Sequence, residues 1–487
     1  MGNKTSKPCP LGQELEAKTG ELEAQQKMRE GQLAGLTLDR IASGVVSKKA
    51  EIASLVAATK GRCANELREI VVREVIRSAD GLLWCREYEE TQKSRQRMSV
   101  YTGSNWTTVE PQQWMDFIDR CAERCGIDES ELMNHKFMNL LYEGVAFNLK
   151  AYRRRMVPAG EVWLNVRNGT LVISKDGSVR LRSHDKDDLF TYTLPYPYDE
   201  RAECPLWHRF LDRVLPEAES RQVLGEFIGY CMMSDHLLEK MLLLYGEGLN
   251  GKSVTLEVIE ALLGSVNVSY LSLSDLTNDE VKRAGIEGKM LNISHESGKD
   301  VNPNVLKQLT SGEPVVVKHL YHDPYETSDY GKQVAAFNIL PRAENTFGFF
   351  RRLIILPYQV TIPRQEIDPQ LALKLKSELP GILNWVLKLL PGLMTRGEFT
   401  TSASCENALE RYRLQSDSVR LFISEMCQPS DYTTDGQGLF NAYRNYCAAS
   451  SLRPLGKTRF YDRLENLTHS RENNGNQARF KLKLTEI

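Results

Sequence analysis

Eight consecutive residues carry the most specific chemistry in the chain: Gly246-Glu247-Gly248-Leu249-Asn250-Gly251-Lys252-Ser253. Their spacing, G-x-x-x-x-G-K-[ST], is what a polyphosphate requires. Glycines let backbone N–H groups turn inward around phosphate oxygens, and a following helix adds the positive end of its dipole. Lys252 can reach β- and γ-phosphates, and the Ser253 hydroxyl can ligate Mg2+. Gly246 through Ser253, with Val254 behind them, are the candidate nucleotide-binding residues, and ATP with Mg2+ the expected ligands. The alternative is a glycine turn carrying a solvated lysine, and the flanks argue against it. Met241 to Tyr245 reads as a buried strand, and Lys252 to Leu263 as a helix stopped by Gly264.

Hydrolysis needs an acid near the metal or the attacking water, at the end of a neighbouring strand. Lys289 to Glu296 supplies one: a short strand ending in Glu296, expected to act as base, as a metal-site residue, or both. His295 occupies the preceding position, where many ATPases carry Asp. Gln333 to Pro341 reads as a strand interrupted by one polar residue, Asn338, which would contact the γ-phosphate or orient the water. Arg351 and Arg352 directly precede the buried strand Leu353 to Leu356. That placement suits an arginine finger lent to a neighbouring subunit's nucleotide, with Arg352 preferred over Arg351. Between these segments, Val315 to Tyr321 and the strand near Val334 suggest a hairpin whose Lys318 and His319 would suit DNA phosphates. A merely solvated hairpin is the competing view.

The elements that must position these residues follow from periodicity. A βα alternation from Met241 to about Leu356 predicts an α/β nucleotide-binding core. Residues 1–80 read as a helical N-terminal region, where Leu15 and Leu22 hint at a heptad that Gly20, Gly31 and Gly35 interrupt. Residues 81–215 read as a mixed α/β accessory region, with a helix over Pro111 to Cys125 and a small meander over Glu161 to Arg182. The core is expected over 216–365, a helical lid over 366–416, and a small domain ending in a β-ribbon over 417–487.

Composition limits the partners. The 487 residues hold 62 Lys and Arg against 64 Asp and Glu, a formal charge of −2, so nucleic acid can be held only by local patches. From residue 451 onward eight basic residues face four acidic ones, a net of +4, which marks Lys457, Arg459 and Arg463 as candidate DNA contacts. Lys150 with Arg153, Arg154 and Arg155 forms a second cluster, more simply read as a solvated helix end. The ten cysteines lack the paired spacing of zinc sites. No apolar run approaches the roughly 20 residues of a membrane span. Met1 to Ser6 fits the short myristoylation template, which chance readily supplies. A cytoplasmic location, in a bacterial host, is expected.

Taken together, Gly246 to Ser253, Glu296, the Lys307 to Leu320 segment, Asn338 and Arg352 resemble superfamily 3 helicases, specifically the phage and plasmid primase-helicases related to the poxvirus replicative helicase. Tyr101 to Trp106, Asn168 to Leu171, Phe190 to Pro195 and Cys204 to Leu211 resemble the region preceding the core in that family. Leu379 to Trp385, Tyr412 to Ser418, Leu439 to Tyr443 and Lys457 to Leu464 fit its later parts, the last two its winged-helix domain. The resemblance covers about residues 80 to 487. It implies an AAA+-like core, a homo-oligomeric ring that is usually hexameric, ATP and Mg2+, and 3′-to-5′ unwinding of forked DNA by tracking on single-stranded DNA. It also implies origin DNA as a winged-helix partner. Residues 1–80 are too short and helical for the primase domain many relatives carry, which leaves a separate primase or polymerase as a partner. Two alternatives stay open: an origin-binding initiator whose nucleotide only switches assembly, and a protein-remodelling AAA+ ATPase. A small-molecule kinase would leave the Arg pair and the basic tail without a role.

Overall fold

The structure is a computed structural model that describes residues 28–60, 63–86, 97–151, 155–295, 301–320, 323–340, 346–450, 452, 454–474 and 477–485. The myristoylation-like start, Leu15, Leu22, Arg153, Arg154 and Glu296 lie outside the described residues.

The run Met241-Leu242-Leu243-Leu244 is apolar throughout because both of its faces are covered. Leu242 and Leu244 enter one core, while Met241 and Leu243 enter another on the opposite side. The same alternation divides Val334 and Ala336 from Ala335 and Phe337, and Ile354 and Leu356 from Leu353 and Ile355. These runs form an all-parallel five-stranded sheet: β1 (Met241–Tyr245), β2 (Val268–Ser269), β3 (Leu291–His295), β4 (Lys332–Phe337) and β5 (Leu353–Pro357). Its spatial order is β5-β1-β4-β3-β2. Helix α1 (Lys252–Leu263) follows β1 and buries Leu256, Ile259, Leu262 and Leu263.

Where the second strand of the hairpin was expected, near Val334, lies β4 of the parallel sheet; helix α2 (Pro303–Ser311) leads instead into a hairpin that pairs Val315–Val317 with Tyr325–Thr327. Its first strand is three residues long, shorter than the expected Val315 to Tyr321. The Lys318 N–H leaves the ladder and donates to the Glu280 carbonyl at 2.9 Å.

Regions 1–80 and 81–215 do not separate at residue 80. One apolar core joins Ala34, Val71 and Val75 of the helical stretch to Val100, Phe117 and Leu141 beyond it. The three-stranded meander (Glu161–Val166, Gly169–Ser174, Val179–Arg182) instead shares the core of the parallel sheet. Its alternating Val162, Leu164 and Val166 give the physical reason: their common face must be buried, and they share that core with the helices Pro205–Val214 and Ala218–Met232. On the second of those helices, Gly225 and Gly229 let α3 (Leu379–Arg396) approach closely. A Cβ on Gly225 would sit 2.4 Å from Leu389 and 2.8 Å from Trp385.

The tail has its own core, built on Val419, Phe422, Leu439, Tyr443, Phe460 and Phe480. Three helices, α4 (Ser418–Met426), α5 (Gly436–Ala449) and α6 (Lys457–Thr468), pack with strands β6 (Cys427–Asp435), β7 (Arg471–Asn474) and β8 (Gln477–Leu484). The expected ribbon is the centre of an antiparallel sheet ordered β6-β8-β7.

Candidate functional site

The glycine-rich loop leaves the carboxyl end of β1, with β5 on one side and β4 on the other. That point, where the strand order reverses, is where open parallel sheets form ligand crevices. Two of its glycines are required by space. A Cβ on Gly246 would lie 2.3 Å from both the Asn250 amide nitrogen and the Tyr358 carbonyl. Gly251 has φ 89°, and a Cβ there would meet Val214 at 2.8 Å. Leu249 also takes a left-handed φ of 47°, fixed by the Ile362 N–H, which donates to its carbonyl at 2.7 Å. Helix α1 starts at Lys252 with no side chain capping its first amides. Those N–H groups are the donors that anions take at helix starts.

Lys252 is only 7% exposed. Its ammonium donates to the Gly246 carbonyl at 2.5 Å, to Asn250 Oδ1 at 3.2 Å and to Asn338 Oδ1 at 3.3 Å. Asn250 in turn donates to the Tyr358 carbonyl at 3.2 Å, tying the loop to the end of β5. Asn338 differs from expectation in place. Strand β4 ends at Phe337, so Asn338 lies one residue beyond it, exposed at the crevice and not inside a buried strand. Ser253 is exposed, as are Glu247 and Leu249, while Val254 packs partly into the core. The strand that leads to the expected acid, β3, ends at His295, and β4 stands between it and β1.

The two arginines sit at the opposite edge of the sheet. Leu353 pairs with Met241 and Pro357 with Tyr245, so Arg352 stands a whole strand away from its own chain's loop, roughly 17 Å at about 3.3 Å per residue. The structure distinguishes the pair. Arg351 is 46% exposed and is paired with Glu239. Arg352 is 13% exposed and donates to the Ser311 hydroxyl, through Nε at 3.0 Å and Nη2 at 2.8 Å, and to the Gly348 carbonyl at 2.6 Å.

His319 corrects an expectation. Its Nε2 lies 2.7 Å from Glu287 Oε2, its ring stacks on Tyr325, and the Tyr325 hydroxyl donates to Glu287 Oε1 at 2.6 Å. His319 is therefore held by Glu287 and Tyr325, and braces the hairpin. Lys318 is half-buried, and its ammonium meets no acceptor among the described residues. Leu320 next to it is 67% exposed.

In the tail, Lys457 and Arg459 are exposed on α6, and Lys481 and Lys483 on β8. Arg463 is the second correction. Both its Nε and Nη2 donate to Asp417, which is 2% exposed and caps the first turn of α4. Arg155 of the other basic cluster also points inward. It donates to the carbonyls of Asp188 and Leu189 and stacks 3.9 Å above the Phe190 ring. A paired test follows. Lys457→Ala with Arg459→Ala should lower the log–log salt slope of duplex binding by about 2. Arg463→Ala should leave that slope in place and destabilise the tail by about 1–2 kcal/mol, less than a fully buried pair because its side chain is partly exposed. Salt titration and thermal melting read the two effects.

Residues 83–216 match the family described as D5 N terminal like. Residues 244–352, from the loop-bearing strand to Arg352, match a family of unknown function (DUF5906). A protein of Acanthamoeba polyphaga mimivirus that carries a helicase name is 22% identical over 290 residues. The match takes in 53% of this chain and 30% of that protein. The chain thus spans under a third of that relative's length. These likenesses support a relationship to D5-like primase-helicases. Among solved structures, the apo C-terminal region of NrS-1 superposes with a TM-score of 0.48 at 9% identity, over 84% of this chain and 98% of that one. An A form of the same region gives 0.47 over 82% and 94%.

Sequence reading had not singled out Glu239, Ser311, Glu287 or Tyr358. Each acts through a partner distant in sequence, and only Ser311 lies within a segment quoted above, Lys307 to Leu320. The one local signal was Ser311-Gly312, a helix end just before a strand.

Proposed function

We propose that the chain is an ATP-dependent, ring-forming DNA helicase of the superfamily 3 type, with an AAA+-like P-loop core over 216–365, a helical lid over 366–416 and a winged helix over 417–487. The contact between Lys252 and Asn338 carries this reading. It puts the loop's cation and a polar residue from the adjacent strand end at one point in the crevice. A triphosphate placed there meets the first amides of α1, in a loop whose close packing requires glycine at 246 and 251, since a Cβ on either would strike neighbouring protein atoms. Lys252 would exchange its oxygen partners for β- and γ-oxygens, and Asn338 beside it would orient the attacking water. The exposed Ser253 hydroxyl, with Glu296, would hold Mg2+, which neutralises charge on the phosphate oxygens. Glu296 would also accept the proton of the attacking water. Arg352, too distant to serve its own loop, suits a neighbouring subunit's nucleotide.

The D5-like match before the core and the helicase name of the mimivirus relative support a role in replication. The basic, exposed α6 supports duplex, origin-type DNA as the tail's partner. That same tail favours a second reading, an origin-binding initiator whose nucleotide switches assembly. None of the described helices is long and apolar enough to cross a membrane; we place the protein in the cytoplasm of a bacterial host, serving a phage, plasmid or integrated element, beside a separate primase or polymerase.

Phosphate release with and without single-stranded DNA tests the motor. Stimulation by DNA fits a helicase and is not expected of a protein remodeller. Lys318→Ala should keep DNA-free hydrolysis and lose unwinding by about tenfold, the weight of one charged hydrogen bond. Normal unwinding in that variant would place the DNA grip elsewhere.

A further inference from the structure

Arg352 is held by a residue that also adjoins the hairpin. Ser311, the last residue of α2, accepts two of its N–H groups through one hydroxyl. The Gly348 carbonyl accepts from Nη1, and the Glu239 carboxylate lies 3.5 Å from Nη2. The guanidinium is thus engaged by its own chain, and a phosphate on another subunit must compete with those acceptors.

From Ser311 the chain reaches the hairpin at Val315 by a short, constrained turn. Gly312 takes φ 73° and returns its N–H to the Gln308 carbonyl. A Cβ there would lie 2.7 Å from His236. The Tyr330 hydroxyl donates to the Glu313 carbonyl at 2.5 Å. Leu306 and Leu309 of α2 share one core with Val315 and Val317 of the hairpin and with Phe350, two residues before Arg352. Packed cores transmit small shifts and do not absorb them. The hairpin, the end of α2 and the turn before Arg352 thus share one packed core.

We propose that Ser311 is a positioning residue that couples DNA on the hairpin to the finger. With the hairpin unloaded, its hydroxyl holds Arg352 back. A DNA strand drawn onto Lys318 shifts the end of α2 and releases the guanidinium toward the neighbouring subunit's nucleotide. The inference rests on the helicase reading above.

The test uses the full chain, with steady-state phosphate release measured alone and with saturating oligothymidylate. Ser311→Ala should raise the DNA-free rate by about tenfold, the scale of one hydrogen bond to a charged group, and leave the stimulated rate unchanged. The stimulation ratio then falls toward one. Ser311→Thr keeps the hydroxyl and should keep the wild-type ratio. Glu239→Gln weakens a second acceptor and should raise the DNA-free rate independently, so the proposal does not depend on one variant. An unchanged ratio in Ser311→Ala, or a ratio lost because the stimulated rate falls, overturns the coupling. Lys252→Ala in the same assay separates the two levels. If it hydrolyses ATP like wild type, the helicase reading fails. If it is inactive while Ser311→Ala keeps the wild-type ratio, only the coupling fails.

Discussion

Lys252→Ala should stop ATP hydrolysis and leave the chain folded. In the structure the ammonium is buried among the Gly246 carbonyl and the side-chain oxygens of Asn250 and Asn338. Those oxygens face the crevice where a triphosphate would sit, and the same cation would offset charge gathering on the transferring phosphoryl group. Loss of one such donor costs about 10²–10³ in rate, and the loop cation also contributes to binding. Folding should change little. Gly246 stays pinned by its own N–H to Phe337, and Asn250 by its bond to Tyr358. Phosphate release and a melting curve measure the two effects together. Activity within about threefold of wild type would remove the phosphate-loop assignment.

Rings of Arg352→Ala chains should bind ATP and fail to hydrolyse it, yet recover activity when mixed with Lys252→Ala chains. Arg352 stands at the amino end of β5, and the phosphate loop touches the carboxyl end through Tyr358. One subunit cannot bring both to the same nucleotide. A finger in trans contributes about 10³–10⁵ in rate, so each homogeneous variant is inactive. In a mixed ring an Arg352→Ala chain keeps its loop, and a Lys252→Ala neighbour keeps its finger. Where they meet in the right order, one working site forms. Mixed rings with no recovered activity at any ratio would exclude Arg352 as the finger and leave Arg351, half-exposed and tied to Glu239, to be tested the same way.

The sheet was legible because its signals are local. Continuous apolar strands are buried on both faces, and Met241 to Tyr245 and Leu353 to Pro357 lie where the apolar runs put them. The loop was legible because G-x-x-x-x-G-K-[ST] forces a backbone shape. What failed to show was side-chain direction. His319 and Arg463 read as groups that would meet phosphate and Arg155 as part of a solvated helix end, yet each turns onto an acceptor from a remote segment: Glu287, Asp417, and the backbone of Asp188 and Leu189. A basic residue in a sequence gives a charge but not the carboxylate or carbonyl that claims it. Asn338 was misjudged differently. The apolar run continues past it through Ile339 and Leu340, so the strand looked longer than it is, and Ile339 is 85% exposed. The core that runs across residue 80 was invisible for a related reason: burial of Val71 against the same core as Phe117 is a contact between segments distant in sequence, which a change of composition does not report.

Strand displacement on a forked duplex, with ATP and Mg2+ and the intact chain, tests the central claim most directly. The account predicts that wild-type protein releases the labelled strand only with hydrolysable ATP, that a 3′ single-stranded arm is required, and that Lys252→Ala releases none. Hydrolysis that ignores DNA, or nucleotide-dependent assembly on duplex DNA with no strand released, would contradict it.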